Sequence, residues 1–111
     1  MSRFKKLTKD EARYATSGTS LKGHLKTGIK FTDLYQTLGE PTFKPEDSGD
    51  GKIQYEWVIE YKGDIFTIYD WKTFNESYTL EEYDRWHIGA KVYSGDFEDL
   101  IEQLVNKKTH A

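Results

Sequence analysis

An alternating run near the middle of the chain constrains the fold more than any other feature. Ile, Tyr, Trp, Ile and Tyr occupy every second position of residues 53–61, mostly separated by polar residues. A period of two is typical of a β-strand with one buried face. Gly63-Asp64 interrupts the run, and a second apolar run follows over residues 65–72. Residues 52–72 are therefore predicted to form an antiparallel hairpin.

The register of this hairpin decides which side chains share a face. A two-residue turn at Gly63-Asp64 pairs Trp57 with Asp70, whereas a three-residue turn over residues 62–64 pairs Trp57 with Tyr69. A shift by one residue exchanges the two faces of a strand. We favour the three-residue turn, because it creates aromatic cross-strand pairs that stabilise a sheet.

Two segments have the apolar spacing of amphipathic helices. Residues 97–106 carry apolar side chains at i, i+3, i+4, i+7 and i+8, with acidic residues at the start and lysines at the end. This order suits the helix dipole. Residues 31–38 form a shorter stripe that is followed by Gly39 and Pro41, a stop signal. The stripe of the C-terminal helix, which we expect to be buried, includes Phe97, Leu100, Ile101 and Leu104.

Three weaker patterns complete the secondary structure. Thr8 and Glu11 have the spacing of a capping box for a short helix. Residues 83–93 indicate a third strand, kinked at Gly89, and residues 21–26 indicate a fourth.

Together these elements predict a single α+β domain. We expect an antiparallel sheet of about four strands, with the hairpin of residues 52–72 at its centre and helices over 31–38 and 97–106 packed on one face. The domain is expected to span residues 10–108. A basic arm over residues 1–9 precedes it, for which mobility and ordered packing are equal alternatives.

Charge is distributed unevenly along the chain. Residues 1–30 contain eight basic and two acidic residues, whereas residues 31–111 contain eight basic and seventeen acidic ones, which gives the net charge of −3. An acidic protein is poorly suited to duplex DNA. The basic third can still attract a small anion or an acidic partner.

The composition also limits the chemistry that the chain can perform. There is no cysteine, so disulfides, thiolate metal ligands and thiol nucleophiles are excluded. No apolar stretch approaches the ~20 residues of a membrane span. The histidines lack the spacing of a metal site, and we expect neither a metal nor a cofactor.

Three polar segments interrupt the regular patterns and are candidate ligand contacts. The hydroxyl-rich loop before the first strand can offer donors to a phosphate, and the other two segments combine aromatic and charged side chains. Each also has a structural explanation: a turn, an ion pair and a hydrogen-bonded histidine. The candidate ligand-binding residues are Thr16, Ser17, Thr19, Ser20, Tyr69, Asp70, Trp71, Lys72, Arg85, Trp86 and His87.

We expect these segments to converge at one end of the sheet, in a cleft walled by Trp71 and Trp86. Catalysis is less favoured than binding. A nucleophilic triple can be drawn from Ser17 or Ser20 with His87 and Asp70, but no nucleophile elbow accompanies it.

Five short strings resemble, in order and spacing, a group of small, uncharacterised proteins of tailed bacteriophages. The likeness spans about residues 14–105. The strings are ATSGTSL at 15–21, LGEP at 38–41, EW at 56–57, TIYDWK at 67–72 and WHIGA at 86–90. The resemblance implies a phage accessory protein that acts in the host cytoplasm, and it implies no particular activity.

Residues and resemblance together predict a non-enzymatic protein that binds, and by sequestration removes, a small anionic, nucleotide-like ligand, countering host defence. The alternative is an inhibitor that presents an acidic surface to a host protein. A small enzyme is a third hypothesis. We expect no membrane contact, and the oligomeric state stays open.

Overall fold

The chain folds into an α+β structure around one antiparallel sheet. The structure, a computed structural model, describes residues 4–15, 18–47, 53–71, 73 and 75–110, with side chains up to residue 107. The strands are β1 (Phe4–Lys6), β2 (Ser20–His24), β3 (Glu56–Tyr61), β4 (Asp64–Tyr69) and β5 (His87–Ala90), and the helices are α1 (Lys9–Ala15), α2 (Phe31–Leu38), α3 (Glu76–Glu81) and α4 (Gly95–His110). The strand order is β1-β3-β4-β5-β2, with every neighbouring pair antiparallel. The predicted fold class is confirmed, with five strands instead of about four.

The additional strand comes from the segment that the sequence assigned to a basic arm. In β1, Phe4 pairs with Tyr61 at the outer edge of β3. Leu7 follows it, is buried, and donates its backbone N–H to the Val58 carbonyl at 2.8 Å. Residues 4–7 are therefore part of the fold, although three residues with two lysines carry too little apolar pattern to reveal a strand.

Both proposed hairpin registers are wrong. The turn consists of Lys62 and Gly63, and the first pair beyond it joins Tyr61 to Asp64. Both turn residues have positive φ, 53° and 83°. Positive φ at both central positions is the type I′ geometry, whose twist matches that of the flanking strands. Lysine is an uncommon residue for this conformation, so the residue types at the turn do not indicate it.

The correct register separates the hairpin into two faces. Trp57 pairs with Ile68, and both point into the main core together with Ile88 on β5. The helices α2 and α4 cover this face, as predicted. Phe97 and Ile101 of the α4 stripe are fully buried, and Leu100 and Leu104 are partly buried.

The opposite face is only partly covered. Helix α1 places Ala12 in a small cluster with Leu7 and Val58. Its predicted capping box is present: the Thr8 N–H donates to Glu11 Oε1 at 3.0 Å, and the Glu11 N–H donates to Thr8 Oγ1 at 3.3 Å. Beyond this cluster, Tyr69 and His87 on this face are partly exposed and His24 is exposed, whereas Thr67 and Gly89 are buried.

Helix α3 was not predicted. Its signal was Asn75, whose side-chain Oδ1 accepts the Tyr78 N–H at 3.0 Å as an N-cap. Within the described residues, no helix is long and apolar enough to cross a membrane.

We expect Ile101→Ala to lower the free energy of unfolding by about 2–5 kcal/mol, because it leaves a cavity in the core between α4 and the sheet. Urea denaturation measures the change. Gln103→Ala, at an exposed position of the same helix, is the control and should change stability by less than about 0.5 kcal/mol. Equal effects of the two substitutions would contradict the packing of α4 described above.

Candidate functional site

Four side chains lie next to one another across the exposed part of the sheet. Glu56 pairs with Tyr69, Tyr69 pairs with His87, and His87 pairs with His24. Directly paired residues point to the same face. We call Glu56, Tyr69, His87 and His24 the cross-strand row. With adjacent strands ~4.8 Å apart, the row spans about 14 Å.

Three members of the row join Trp71 in a continuous aromatic surface. The rings of Tyr69 and His87 are stacked, with centroids 5.5 Å apart and planes 29° apart. The Trp71 ring lies 6.3 Å from Tyr69 and 6.4 Å from His87, and His24 lies 4.5 Å from His87. Trp71 is 39% exposed and His24 is exposed as well. We call His24, Tyr69, Trp71 and His87 the ring platform.

Gly89 leaves room for this arrangement. A Cβ atom at position 89 would lie 2.7 Å from Thr67 Oγ1 and 3.4 Å from Tyr69 Cε1. The first distance is shorter than packed side chains tolerate, so a larger residue would displace the neighbouring strand's side chains. The glycine that the sequence analysis interpreted as a kink therefore permits close packing beside Tyr69.

His87 is held in its neutral form. Burial lowers the pKa of His87, and the neighbouring His24 lowers it further. Its Nδ1 lies 3.2 Å from the Arg85 carbonyl oxygen. Because a carbonyl oxygen only accepts, we infer that the ring proton is on Nδ1, which leaves Nε2 as an acceptor.

Glu56, at the other end of the row, is a partly buried carboxyl group. The pKa of Glu56 is raised to about 7, mainly by burial; a hydrogen bond with Thr67 opposes the shift and the charge of Asp70 adds to it. Burial, with a contribution from Glu56, also raises the pKa of Tyr69. Glu56 lines a pocket of about 270 Å³ together with Phe43, Lys44, Asp47, Ile53 and Gln54.

Asp70, which we expected to contact a ligand, serves the fold instead. It is completely buried, and its Oδ1 accepts the backbone N–H groups of Gln54 and Tyr55 at 2.8 and 3.0 Å. Its Oδ2 accepts the hydroxyls of Thr73 and Thr79 at 2.6 and 2.9 Å. The carboxylate therefore joins the segment before β3 to the segment between β4 and α3.

Trp86 also lies in the core and not at the surface. It is 0% exposed, and its indole N–H donates to the Ile29 carbonyl at 2.9 Å. Its ring packs edge-on against Trp57 at 5.6 Å and Tyr83 at 5.0 Å. Because adjacent residues of an extended chain point to opposite faces, a platform that includes His87 excludes Trp86.

The hydroxyl-rich loop does not reach the ring platform in its described part. Ser20 pairs with Ala90, three residues along β5 from His87 and thus about 10 Å away. Thr19 is partly buried beside it. Trp86 and Asp70 are fully buried and do not line the predicted cleft, whereas the convergence of the loop with His87 stays a prediction. Thr16, Ser17 and Lys72 lie outside the described residues.

Three of the predicted residues do meet: Tyr69, Trp71 and His87, with exposed Arg85 two positions before β5. Glu56 and His24 were missed. Their shared face depends on strand registers that the sequence left open or did not predict, and His24 was obscured by its lysine neighbours.

Comparison with known proteins identifies no relative of this chain. No protein-family model, curated protein or solved structure matches the chain. Among the described residues, no group of three or more His, Cys, Asp or Glu side chains is arranged to hold a metal ion. Ser20, His87 and Asp70 do not form a catalytic triad. The carboxylate oxygens of Asp70 accept hydrogen bonds from other groups, and Ser20 lies beside Ala90.

Asp70→Ala should lower the free energy of unfolding by about 3–5 kcal/mol, because it leaves the buried donors of two segments without their acceptor. Thermal or urea unfolding measures the loss. Asp99→Ala, at an exposed position on α4, is the control and should cost less than about 1 kcal/mol. A mild effect of Asp70→Ala would contradict the structural role.

Glu56→Gln should stabilise the protein above pH 7. In the wild type the pKa rises from 4.5 to about 7 on folding. The folded state therefore binds its proton more tightly, and stability falls as the pH rises from about 4.5 to about 7. We expect the substitution to remove this loss, which is on the order of 2 kcal/mol.

Urea denaturation at pH 4.5 and pH 8 measures the effect, which should be present only at the higher pH. Glu60→Gln, at an exposed position of the same strand, is the matched control and should behave alike at both. A pH-independent gain would show that Glu56 ionises normally.

Proposed function

We propose that the protein is a non-enzymatic module that binds a small, planar, anionic ligand of nucleotide type on the ring platform. The observation that carries the proposal is the contiguity of four partly or largely exposed rings on one face of the sheet. Core aromatics are covered by other elements, whereas Trp71 and His24 are exposed. Exposed aromatic clusters of this kind are typical of binding surfaces.

Stacking is the interaction that such a surface offers. Every nucleobase presents a flat π-face, and stacking one base on an aromatic side chain contributes roughly 1–3 kcal/mol. Several nucleic-acid-binding modules use aromatic side chains on a sheet face for this purpose. Tyr69 contacts both Trp71 and His87, so a base that stacks on Tyr69 also borders those two rings.

The distribution of charge orients an anionic ligand. Exposed Lys22 and Lys26 lie on either side of His24 in the chain, and exposed Arg85 precedes His87. Glu56 occupies the opposite end of the row. We propose that these basic groups beside His24 and His87 hold the phosphate, which directs the base toward Glu56; Lys44 lines the pocket at the Glu56 end.

The resemblance to phage proteins extends this proposal to a biological role. A protein that binds a nucleotide without transforming it lowers the free concentration of that nucleotide in proportion to its own abundance. We therefore propose that the protein sequesters a nucleotide-like signal of host defence, a role that agrees both with the resemblance to phage proteins and with a base-binding ring platform.

Tyr69→Ala should weaken binding of 5′-mononucleotides by about tenfold, because it removes the ring on which we propose that the base stacks. Fluorescence of the exposed Trp71, titrated with each mononucleotide, measures the affinity. Tyr35→Ala, at an exposed position on α2, is the control and should leave binding unchanged.

Two outcomes would contradict the proposed function. One is the absence of binding by any mononucleotide or short single-stranded oligonucleotide. The other is an equal loss of affinity in the Tyr69 and Tyr35 variants, both confirmed as folded by circular dichroism.

A further inference from the structure

Glu56 is positioned to contact the edge of a base that lies on Tyr69. The two residues form a direct antiparallel pair on the same face. Cβ atoms of such pairs lie about 4.5–5.5 Å apart, within the reach of a glutamate side chain. Glu56 also lines the pocket bounded by Phe43 and Ile53.

The carboxyl group has unused capacity to accept hydrogen bonds. A carboxylate has about four acceptor sites, and Thr67 supplies one hydrogen bond. In the described part of the chain, no lysine or arginine forms a salt bridge with Glu56. A ligand that brings N–H donors would compensate for the cost of burying this charge.

Only one common base offers two adjacent donors along its pairing edge. Guanine presents N1–H beside the exocyclic N2 amino group, which together match the two oxygens of a carboxylate. Adenine and cytosine place an acceptor nitrogen beside their amino group, and uracil places its N3–H between two carbonyl oxygens. A carboxylate therefore attracts guanine by two hydrogen bonds and meets a repulsive acceptor on each of the others.

We propose that Glu56 is the specificity-determining residue of the ring platform and that the ligand carries a guanine base. This inference rests on the function proposed above. The base stacks on Tyr69, its N1–H and N2 amino group donate to Glu56, and its phosphate lies toward the β2 end. The guanine comes either from a free nucleotide or from a single-stranded RNA.

Titration of the wild type with GMP, IMP, AMP, CMP and UMP at pH 8 tests the inference. We expect GMP to bind about tenfold more tightly than AMP, CMP or UMP. IMP, which lacks the N2 amino group, should fall between GMP and AMP. Titration with the single-stranded RNAs UUGUU and UUAUU separates the two sources, since tighter binding of UUGUU than of GMP indicates a strand.

Glu56→Gln should reduce the preference for GMP over AMP to less than about twofold and leave AMP binding within about twofold of the wild type. Glu60→Gln, on the same strand, should retain the full preference. In the wild type the preference should grow from pH 6 to pH 8, because Glu56 becomes a full carboxylate as the pH passes its pKa of about 7. The glutamine variant should lack this pH dependence.

The failures are distinguishable. Equal binding of all five nucleotides by the wild type overturns the guanine assignment and leaves the proposed function standing. A preference that survives in Glu56→Gln overturns the role of Glu56. If neither the mononucleotides nor the RNAs bind, the inference and the proposed function fail together.

Discussion

The turn formed by Lys62 and Gly63 sets the pairing of β3 with β4, and both faces of the sheet follow from that pairing. Two residues with positive φ reverse the chain so that Trp57 meets Ile68 and Glu56 meets Tyr69. The first pair enters the core beneath α2 and α4, and the second lies on the partly open face. A turn one residue longer would move Tyr69 to the face of Trp57 and separate it from Glu56, so the cross-strand row would not form.

Two buried carboxyl groups, 14 positions apart, serve opposite purposes. Asp70 accepts four hydrogen bonds and ties the end of β4 to its surroundings, so its burial is compensated. Glu56 has the hydroxyl of Thr67 as its side-chain partner, and its raised pKa reflects incomplete compensation. A domain that keeps such a group destabilises itself at neutral pH. The binding of a donor-rich ligand at Glu56 supplies a physical reason for keeping it.

The sequence was sufficient for the parts of the fold that depend on local patterns. The stripe through Phe97 and Ile101 and the capping box of Thr8 and Glu11 are visible in residue spacing alone, and the structure confirms them. The register of the β3–β4 turn could not be predicted from the types of its residues, because lysine, here Lys62, rarely adopts positive φ. With the wrong pairing of β3 and β4, the sequence cannot show that Glu56 lies opposite Tyr69.

The errors at the site have a related cause. Residue type selects polar and aromatic side chains as surface candidates, but it does not decide whether a polar group finds a hydrogen-bond partner inside the fold. Asp70 and Trp86 both find buried partners that are distant in sequence. The platform, by contrast, needs strand pairings among β4, β5 and β2, which bring together residues separated by up to 63 positions.

The central claim is that the ring platform is the binding surface of this protein, and nuclear magnetic resonance tests it most directly. Two-dimensional spectra of the isotope-labelled protein would be recorded while GMP is added to saturation. The account predicts that the largest shift changes occur at His24, Tyr69, Trp71 and His87, with Glu56 at the edge of the affected region. Shift changes concentrated around Ser20 and Ala90, at the other end of β5, or none at all, would contradict it.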